Sequence, residues 1–192
     1  MLGSVSRANP ELISDMNRQG ADVVRVPIKS VNDVKNLAEI SHETPLLFSP
    51  TSMKIAKDVL KNIDNGGAIE LVDFDNSVLK QAARCEAEIL LSAWEQSLDQ
   101  LVQLVKRIEA LGVSPHRLSM MVPVQAVRRA CMLGIPVAAK VRSSTSMGAR
   151  VASLSRAIYD GARLLDVDDI RVTRKVIDTT TALLRPEEWQ TV

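Results

Sequence analysis

The chain has 192 residues, a net charge of +1, and a content of 46% hydrophobic and 24% charged residues. This composition is typical of a soluble globular protein, and the length predicts one domain spanning residues 1–192. The low net charge, with only two Phe, two Trp and one Tyr, argues against nucleic acid as a partner. No apolar run is long enough for a membrane span and no signal-peptide pattern begins the chain, so we expect no membrane association and a cytoplasmic location.

One junction recurs along the chain: a helix-like stretch, then a glycine, then a short run rich in β-branched residues. It begins at Gly20, Gly66, Gly134 and Gly161. Glycine suits the left-handed residue that ends a helix, and the apolar run after it is typical of a strand buried on both faces. The repetition therefore predicts a parallel α/β protein.

Taken in chain order, the pattern predicts eight strand-then-helix units. The strands are predicted at 2–6, 23–28, 45–49, 68–74, 88–94, 117–122, 136–141 and 163–167. The helices are predicted at 10–19, from 30 or 32 onward, at 51–63, at 76–85, across the apolar stripe from 98 to 111, at 123–132, up to 160, and at 169–184. Eight units favour a compact (β/α)₈ TIM barrel with short strand-to-helix loops over an open doubly wound sheet, which needs fewer strands.

Chemistry in such a barrel takes place at the C-terminal ends of the strands, so the polar side chains there are the candidate site residues. They are Arg25, Lys29, Ser49, Thr51, Glu70, Asp73, Asp75, Ser92, Glu95, Lys140, Arg142, Ser143, Ser144, Asp166, Asp168 and Asp169. By strand alternation Lys140 and Arg142 share one face of strand seven, and Asp166 and Asp168 share one face of strand eight. Two cations would then lie beside two carboxylates. An ion-pair network that closes the barrel and a polar ligand site both remain open as interpretations. Asp169, Asp73 and Asp75 also suit helix N-caps.

The sequence contains no CxxC motif, and its two histidines, His42 and His116, do not form a metal-ligand cluster. We therefore expect no metal site.

Four segments carry a family resemblance in the same order along the chain. Residues 20–24 resemble the pattern Gly-Ala-Asp-Ile-Ile-Asp, and residues 112–118 resemble Gly-Val-x-Pro-x-Arg-Ile. Residues 134–144 resemble Gly-x-Pro-Val followed by Ser-Arg-Lys-Ser, and residues 161–173 resemble Gly-Ala-x-Ile-x-Arg-Val-His-Asp-Val. These are patterns of the dihydropteroate synthases, a pterin-binding TIM-barrel family. Shorter stretches are similar to the barrel of hydroxymethylbutenyl diphosphate synthase, whose cluster-binding cysteines have no counterpart here, and to type I dehydroquinase.

The resemblance implies a ligand site at the mouth of the barrel, with Arg142, Ser144 and Asp169 matching the family pattern. The ligand-binding residues implied in this way, together with the polar strand ends, are Arg142, Ser144, Glu70, Asp73, Ser49 and Arg25. A pterin-type molecule is the only cofactor or ligand that the resemblance suggests.

Several positions depart from the family pattern. Ser49 stands where the third strand of the family carries aspartate, and Glu70 stands where the fourth carries asparagine. In the stretch 119–123, a methionine occupies the place of the carboxylate of strand six. Asp166 and Asp168 replace the arginine and histidine of strand eight, and two aspartates would repel a diphosphate rather than bind it. The resemblance therefore supports the fold and argues against the synthase reaction.

Three functions remain open from the sequence. The first is a dihydropteroate synthase-like protein that binds a pterin or acts in pterin- or folate-type cofactor metabolism. The second is a catalytically silent barrel paralogue that acts as a binding or assembly module. The third is an unrelated barrel enzyme in which Lys140 is a Schiff-base lysine, against the simpler interpretation that Lys140 pairs with Asp166 or Asp168.

Whether the chain is an enzyme stays open, with Lys140, Asp166 and Asp168 as the candidate catalytic residues. A small-molecule ligand is one candidate partner. A homodimer also stays open, because barrels this lean often expose apolar helix faces.

Overall fold

The computed structural model describes residues 1–37, 44–63, 67–72, 74–93, 96–141 and 146–184. Eight parallel strands form a closed barrel in chain order, and β8 pairs with β1 to complete the ring. Each strand is followed by a helix on the outside of the barrel. The predicted (β/α)₈ TIM barrel is therefore confirmed.

The strands are short, with three to six residues each. They are β1 (Leu2–Ser4), β2 (Val23–Ile28), β3 (Leu46–Pro50), β4 (Ala68–Leu71), β5 (Glu88–Ser92), β6 (Leu118–Pro123), β7 (Val137–Lys140) and β8 (Leu164–Asp166). The helices are α1 (Pro10–Arg18), α2 (Val31–Leu37), α3 (Met53–Asn62), α4 (Asn76–Ala82), α5 (Leu98–Ala110), α6 (Val127–Cys131), α7 (Met147–Tyr159) and α8 (Ile170–Leu184). None of the helices in the described ranges is long and apolar enough to cross a membrane.

Local signals in the sequence explain why the elements begin and end where they do. The Asn9 side chain accepts hydrogen bonds from the backbone N–H groups of Glu11 and Leu12, and Pro10 opens α1. Gly20 (φ 97°) and Gly161 (φ 101°) adopt the left-handed conformation after α1 and α7, as the junction pattern predicts.

Several predicted elements are longer than the observed ones, among them strand four and the helix after strand six. The prediction for strand four reached residue 74, but β4 ends at Leu71. The helix predicted at 123–132 begins only at Val127, because Val124–Ala126 forms a tighter 3₁₀ turn.

The hydrophobic core has two parts. The larger part lies between the strands and the helices and contains outward-facing strand residues such as Val24, Ile69 and Val122. The smaller part lies inside the barrel and contains Leu2, Leu47, Leu90, Met121 and Ala138. Apolar packing thus fills the lower and middle barrel, and the polar side chains are concentrated toward the C-terminal ends of the strands.

Candidate functional site

The side chains inside the barrel lie in layers, because each layer of a TIM barrel comes from alternate strands. The strand register places an apolar layer from the odd-numbered strands at mid-height: Leu2, Leu47, Leu90 and Ala138. The next layer toward the C-terminal ends comes from the even-numbered strands: Arg25, Glu70, Met121 and Asp166. Above it the odd-numbered strands contribute Ser4, Ser49, Ser92 and Lys140. The candidate site is built from these two upper layers.

Arg25 occupies the centre of the barrel at this height. Its Nη1 donates a hydrogen bond to Asp166 Oδ2 at 3.1 Å, and its Nη2 contacts Met121 Sδ at 3.4 Å. Its Nε lies 3.1 Å from Glu70 Oε2 as an ion pair, without hydrogen-bond alignment of the N–H. The Arg25 guanidinium therefore contacts the other three members of its layer.

Glu70 is held from two sides. Arg25 contacts one carboxylate oxygen, and the Ser92 hydroxyl of the neighbouring strand donates a hydrogen bond to the other, Oε1. The Glu70 residue is only 6% exposed, and Ser92 is buried as well. The carboxylate therefore has a fixed orientation inside the upper barrel.

Asp166 has cations on two sides. Besides Arg25, Lys140 Nζ on the adjacent strand lies 4.0 Å from Asp166 Oδ2, which confirms that Lys140 pairs with Asp166. Burial raises the pKa of Asp166; Arg25 and Lys140 lower it in part, and the nearby charge of Glu70 raises it further, so the net shift is upward. Two cations and two carboxylates balance one another when all four are ionised.

The other predicted site residues fall into three groups. Ser49 lies at the upper end of β3, next to this network in the register. Asp168 is exposed in the loop after β8, and it forms no salt bridge with another described residue. Arg142, Ser144 and Asp73 lie outside the described residues, so their place in the site stays a prediction.

Two of the other aspartates serve as helix caps. Asp169 Oδ1 accepts a hydrogen bond from the backbone N–H of Val172, and Asp75 Oδ1 accepts one from the backbone N–H of Ser77. Hydrogen bonding by the Ser77 hydroxyl and backbone lowers the pKa of Asp75. Both aspartates therefore have a structural role at the start of the final helix and of α4.

The described residues line two cavities that open at this end of the molecule. The smaller one, about 220 Å³, is lined by residues at the ends of β3 and β4, Glu70 among them, and by Ala56 of α3 and Val78 of α4. The larger one, about 1270 Å³, is an open cleft between the start of α4 and α5, lined by Phe74 and Leu104 among others. Met53 and Val72 line both cavities. We call the first the inner cavity and the second the outer cleft.

Sequence reasoning did not find the central position of Arg25 or either cavity. Arg25 and Asp166 lie on strands that are not neighbours, because β1 stands between them. Only the tilt of the strands in a closed barrel brings inward-facing side chains of alternate strands to the same height. The contact could have been found from the rule that alternate strands of a TIM barrel share a layer. That rule can be applied only when the residue pairing between the strands is known.

Comparison with known proteins identifies the fold. No protein-family model matches the chain, and no curated protein matches its sequence. The dihydropteroate synthase of Xanthomonas albilineans in complex with 7,8-dihydropteroate superposes with a TM-score of 0.73, at 18% identity over 95% of this chain and 92% of that chain. The dihydropteroate synthase of Yersinia pestis gives a TM-score of 0.75, at 16% identity over 95% of this chain and 91% of that chain.

A third structure agrees with these two. The dihydropteroate synthase of Anaplasma phagocytophilum with bound 6-hydroxymethylpterin-monophosphate gives a TM-score of 0.72, at 17% identity over 95% and 98% of the two chains. The chain has a dihydropteroate synthase-like barrel. The resemblance predicted from the four motifs is thereby confirmed at the level of the fold, with extensive divergence in sequence.

Proposed function

We propose that this dihydropteroate synthase-like barrel binds a pterin-type ring at the C-terminal end of its strands, and that it does not carry out the synthase reaction. The observation that carries the proposal is Glu70. It is a buried carboxylate with a fixed orientation, and it lines the inner cavity at the end of the barrel where ligands of this fold class bind.

The chemistry of Glu70 suits the ring. A pterin presents an amino group and ring N–H groups along one edge, and an ionised carboxylate accepts such hydrogen bonds strongly. The inner cavity, at about 220 Å³, is smaller than the roughly 300–1,000 Å³ of sites for drug-sized ligands. Its walls include the apolar side chains of Leu71 and Val78. A compact flat ring with one polar edge is the kind of ligand that fits these walls.

The charges near the cavity argue against the synthase reaction. That reaction uses an anionic diphosphate, which needs cations at the mouth. Here Arg25 and Lys140 are engaged by Glu70 and Asp166, and Asp168 adds an exposed negative charge after β8. The electrostatic field at the end of strand eight is therefore unfavourable for a polyanion.

A fluorescence titration with 6-hydroxymethylpterin tests the proposal. We expect saturable binding to the wild-type chain. The substitution Glu70→Gln removes the charge but keeps the shape, so the affinity should fall by about 10- to 100-fold, as expected for a lost charge-assisted hydrogen bond. Glu88→Gln is the matched control, because Glu88 is exposed at the opposite end of the adjacent strand β5.

Two results would overturn the proposal. One is the absence of wild-type binding at millimolar ligand. The other is a Glu70→Gln variant that unfolds as cooperatively as the wild type and binds the ring with the same affinity.

A second candidate function, a binding or assembly module, is favoured by a separate observation. Exposed apolar side chains lie at the C-terminal ends of three successive helices: Met132 after α6, Tyr159 in α7, and Leu183 in α8. They lie at the barrel end opposite to the candidate site, where an apolar surface can mediate contact with a second copy of the chain. Sedimentation velocity of the wild type and of Tyr159→Asp tests this: a dimer that becomes monomeric supports it, and a wild-type monomer at 100 µM contradicts it.

A further inference from the structure

Two cations of the upper barrel converge on one oxygen atom. Arg25 Nη1 lies 3.1 Å from Asp166 Oδ2, and Lys140 Nζ lies 4.0 Å from the same atom. Lys140 comes from β7, which pairs with β8, whereas Arg25 reaches Asp166 from β2, across the intervening β1. A single carboxylate oxygen therefore bridges two positive groups that different strands supply.

The other strands around Asp166 add one charge among the described residues. β1 pairs with Asp166 through Leu2 and carries no charged side chain. β6 contributes the uncharged Met121 to the same layer, and β4 contributes Glu70, whose Oε2 lies 3.1 Å from Arg25 Nε. Glu70 thus balances one of the two cations, and Asp166 balances the other.

The segment after β8 carries two more carboxylates. Asp168 is exposed to solvent, and Asp169 accepts a hydrogen bond from the backbone N–H of Val172 as the cap of the final helix. Neither forms a salt bridge with Arg25 or Lys140. Within the described part of the chain, Asp166 is therefore the acid of β8 that engages the two cations.

Loss of the negative charge on Asp166 would leave two cations and one carboxylate at this height. The Lys140 side chain is 32% exposed, so a solute that enters the barrel mouth can reach it, and the Arg25 side chain lies just below at 15% exposure. A tetrahedral dianion presents several oxygen atoms at once, so it can accept hydrogen bonds from a guanidinium and an ammonium together.

We propose that the Asp166 carboxylate occupies a latent site for a tetrahedral dianion, formed by Arg25 and Lys140, and that loss of its charge opens this site. The ligand class is a phosphate or sulfate group. The inference goes beyond the proposed function, because the site needs no pterin ring. It also names one residue, Asp166, as the cause of the exclusion of polyanions from this end of the barrel.

The burial of Asp166 makes its charge removable by mild acid. Burial raises the pKa of Asp166, Arg25 and Lys140 lower it in part, and the charge of Glu70 raises it further, so the net shift is upward from 3.8. Above the raised pKa the carboxylate engages both cations, and below it the neutral group releases them. The affinity of the wild type for a dianion should therefore rise as the pH falls through the raised pKa.

Sulfate is the first probe, because its double charge does not change between mild acid and neutrality. An NMR titration at constant ionic strength, which follows the Nε–H signal of Arg25, measures its affinity at the proposed site. At about pH 7 Asp166→Asn should bind sulfate about 10- to 100-fold more tightly than the wild type, because a like charge beside the anion is removed.

The pH dependence gives a second readout that needs no substitution in the network. Between about pH 8 and about pH 5 the wild type should gain affinity for sulfate, whereas Asp166→Asn should change by less than about twofold. Comparison of the two proteins removes the contribution of the two histidines of the chain, which both proteins share.

Asp168→Asn is the matched control. It removes the same charge after the same strand, but Asp168 is exposed and forms no salt bridge with another described residue. Its effect on sulfate affinity should stay within about twofold, because solvent screens it. Lys140→Met, added to Asp166→Asn, should remove most of the gain, because it deletes one of the two cations that form the site.

Phenyl phosphate distinguishes a free anion from the phosphate group of an organic ligand. Both probes should gain affinity in Asp166→Asn at about pH 7. A larger gain for phenyl phosphate supports an organic phosphate as the ligand, and an equal gain supports a free anion.

Three results would overturn the inference. The first is a folded Asp166→Asn variant whose affinities for sulfate and phenyl phosphate lie within about twofold of the wild type at about pH 7. The second is an equal gain in Asp168→Asn, which would assign the effect to overall charge. The third is a gain that persists without Lys140. Because neither probe contains a pterin, these results are independent of whether the ring binds at Glu70.

Discussion

The loss of Arg25 should destabilise the barrel more than the loss of any exposed ion pair would. Arg25→Met keeps the length and much of the volume of the side chain but removes the guanidinium that contacts both Glu70 and Asp166. Both carboxylate residues are only 6% exposed. They would remain buried, with Lys140 at 4.0 Å from Asp166 as the nearest remaining cation in the network.

The magnitude follows from the burial of the two carboxylates. Removing one partner of a buried ion pair costs about 3–5 kcal/mol, because the remaining charge stays desolvated. That is a large part of the roughly 5–15 kcal/mol that stabilises a typical domain. The triple variant Arg25→Met, Glu70→Gln, Asp166→Asn removes the stranded charges as well, so it should be more stable than Arg25→Met alone by about 2 kcal/mol or more.

The loss of stability in the Arg25→Met variant should also depend on pH. The pKa of Asp166 is raised above its ordinary value of 3.8, so the folded state binds this proton more tightly than the unfolded state does. Stability therefore falls as pH rises from about 3.8 through the raised pKa. Without Arg25 the pKa of Asp166 rises further, which widens this window. The Arg25→Met variant should lose more stability at about pH 8 than at about pH 5.

Urea denaturation followed by circular dichroism measures these free energies, with the slope against urea as the check on two-state unfolding. Arg18→Met is the matched control, because Arg18 pairs with Asp15 at 3.6 Å on the exposed surface of α1. Its effect should stay within about 0.5 kcal/mol. An Arg25→Met variant that matches this control at pH 8 would refute the account of the central layer.

The remaining predictions concern local structure. Burial raises the pKa of Asp22, but the N-terminal ammonium and Arg174 lower it more. Asp22→Asn should therefore lower the free energy of unfolding by up to about 1 kcal/mol above pH 3.8, and by nothing once acid has protonated the carboxyl. Equal losses at pH 2 and pH 7 in urea titrations would contradict this. Gly112→Ala should lower the free energy of unfolding by about 1–2 kcal/mol, because Gly112 has a φ of 91°. Gly148→Ala, in α7, should leave stability unchanged or raise it. Thermal unfolding that ranks the two variants in the opposite order would show that reasoning to be wrong. Asn9→Ala should cost about 1 kcal/mol by removing the cap of α1, and an unchanged urea midpoint would exclude that role.

Features that depend on local sequence could be predicted. The bounds of β2 at Val23–Ile28 agree with the predicted strand at 23–28, because a glycine, a β-branched run and a following polar stretch delimit it locally. The contact of Lys140 with Asp166 was also accessible, since the two residues are paired in register on adjacent strands.

Features that depend on the closure of the barrel could not be predicted. The end of β4 at Leu71 and its pairing with β3 through two residue pairs are not contained in the sequence of β4 alone. The convergence of Arg25, Glu70 and Asp166 requires three strands that are not neighbours to reach one height. The sequence could therefore name these three residues as polar side chains at strand ends, but their mutual contacts came only from the three-dimensional arrangement.

The most direct test of the central claim is a crystal structure of the protein with 6-hydroxymethylpterin bound. We expect the ring in the inner cavity between the ends of β3 and β4, with its amino edge about 2.7–3.2 Å from the Glu70 carboxylate. A ring bound elsewhere on the molecule, or one in the barrel mouth without contact to Glu70, would contradict it.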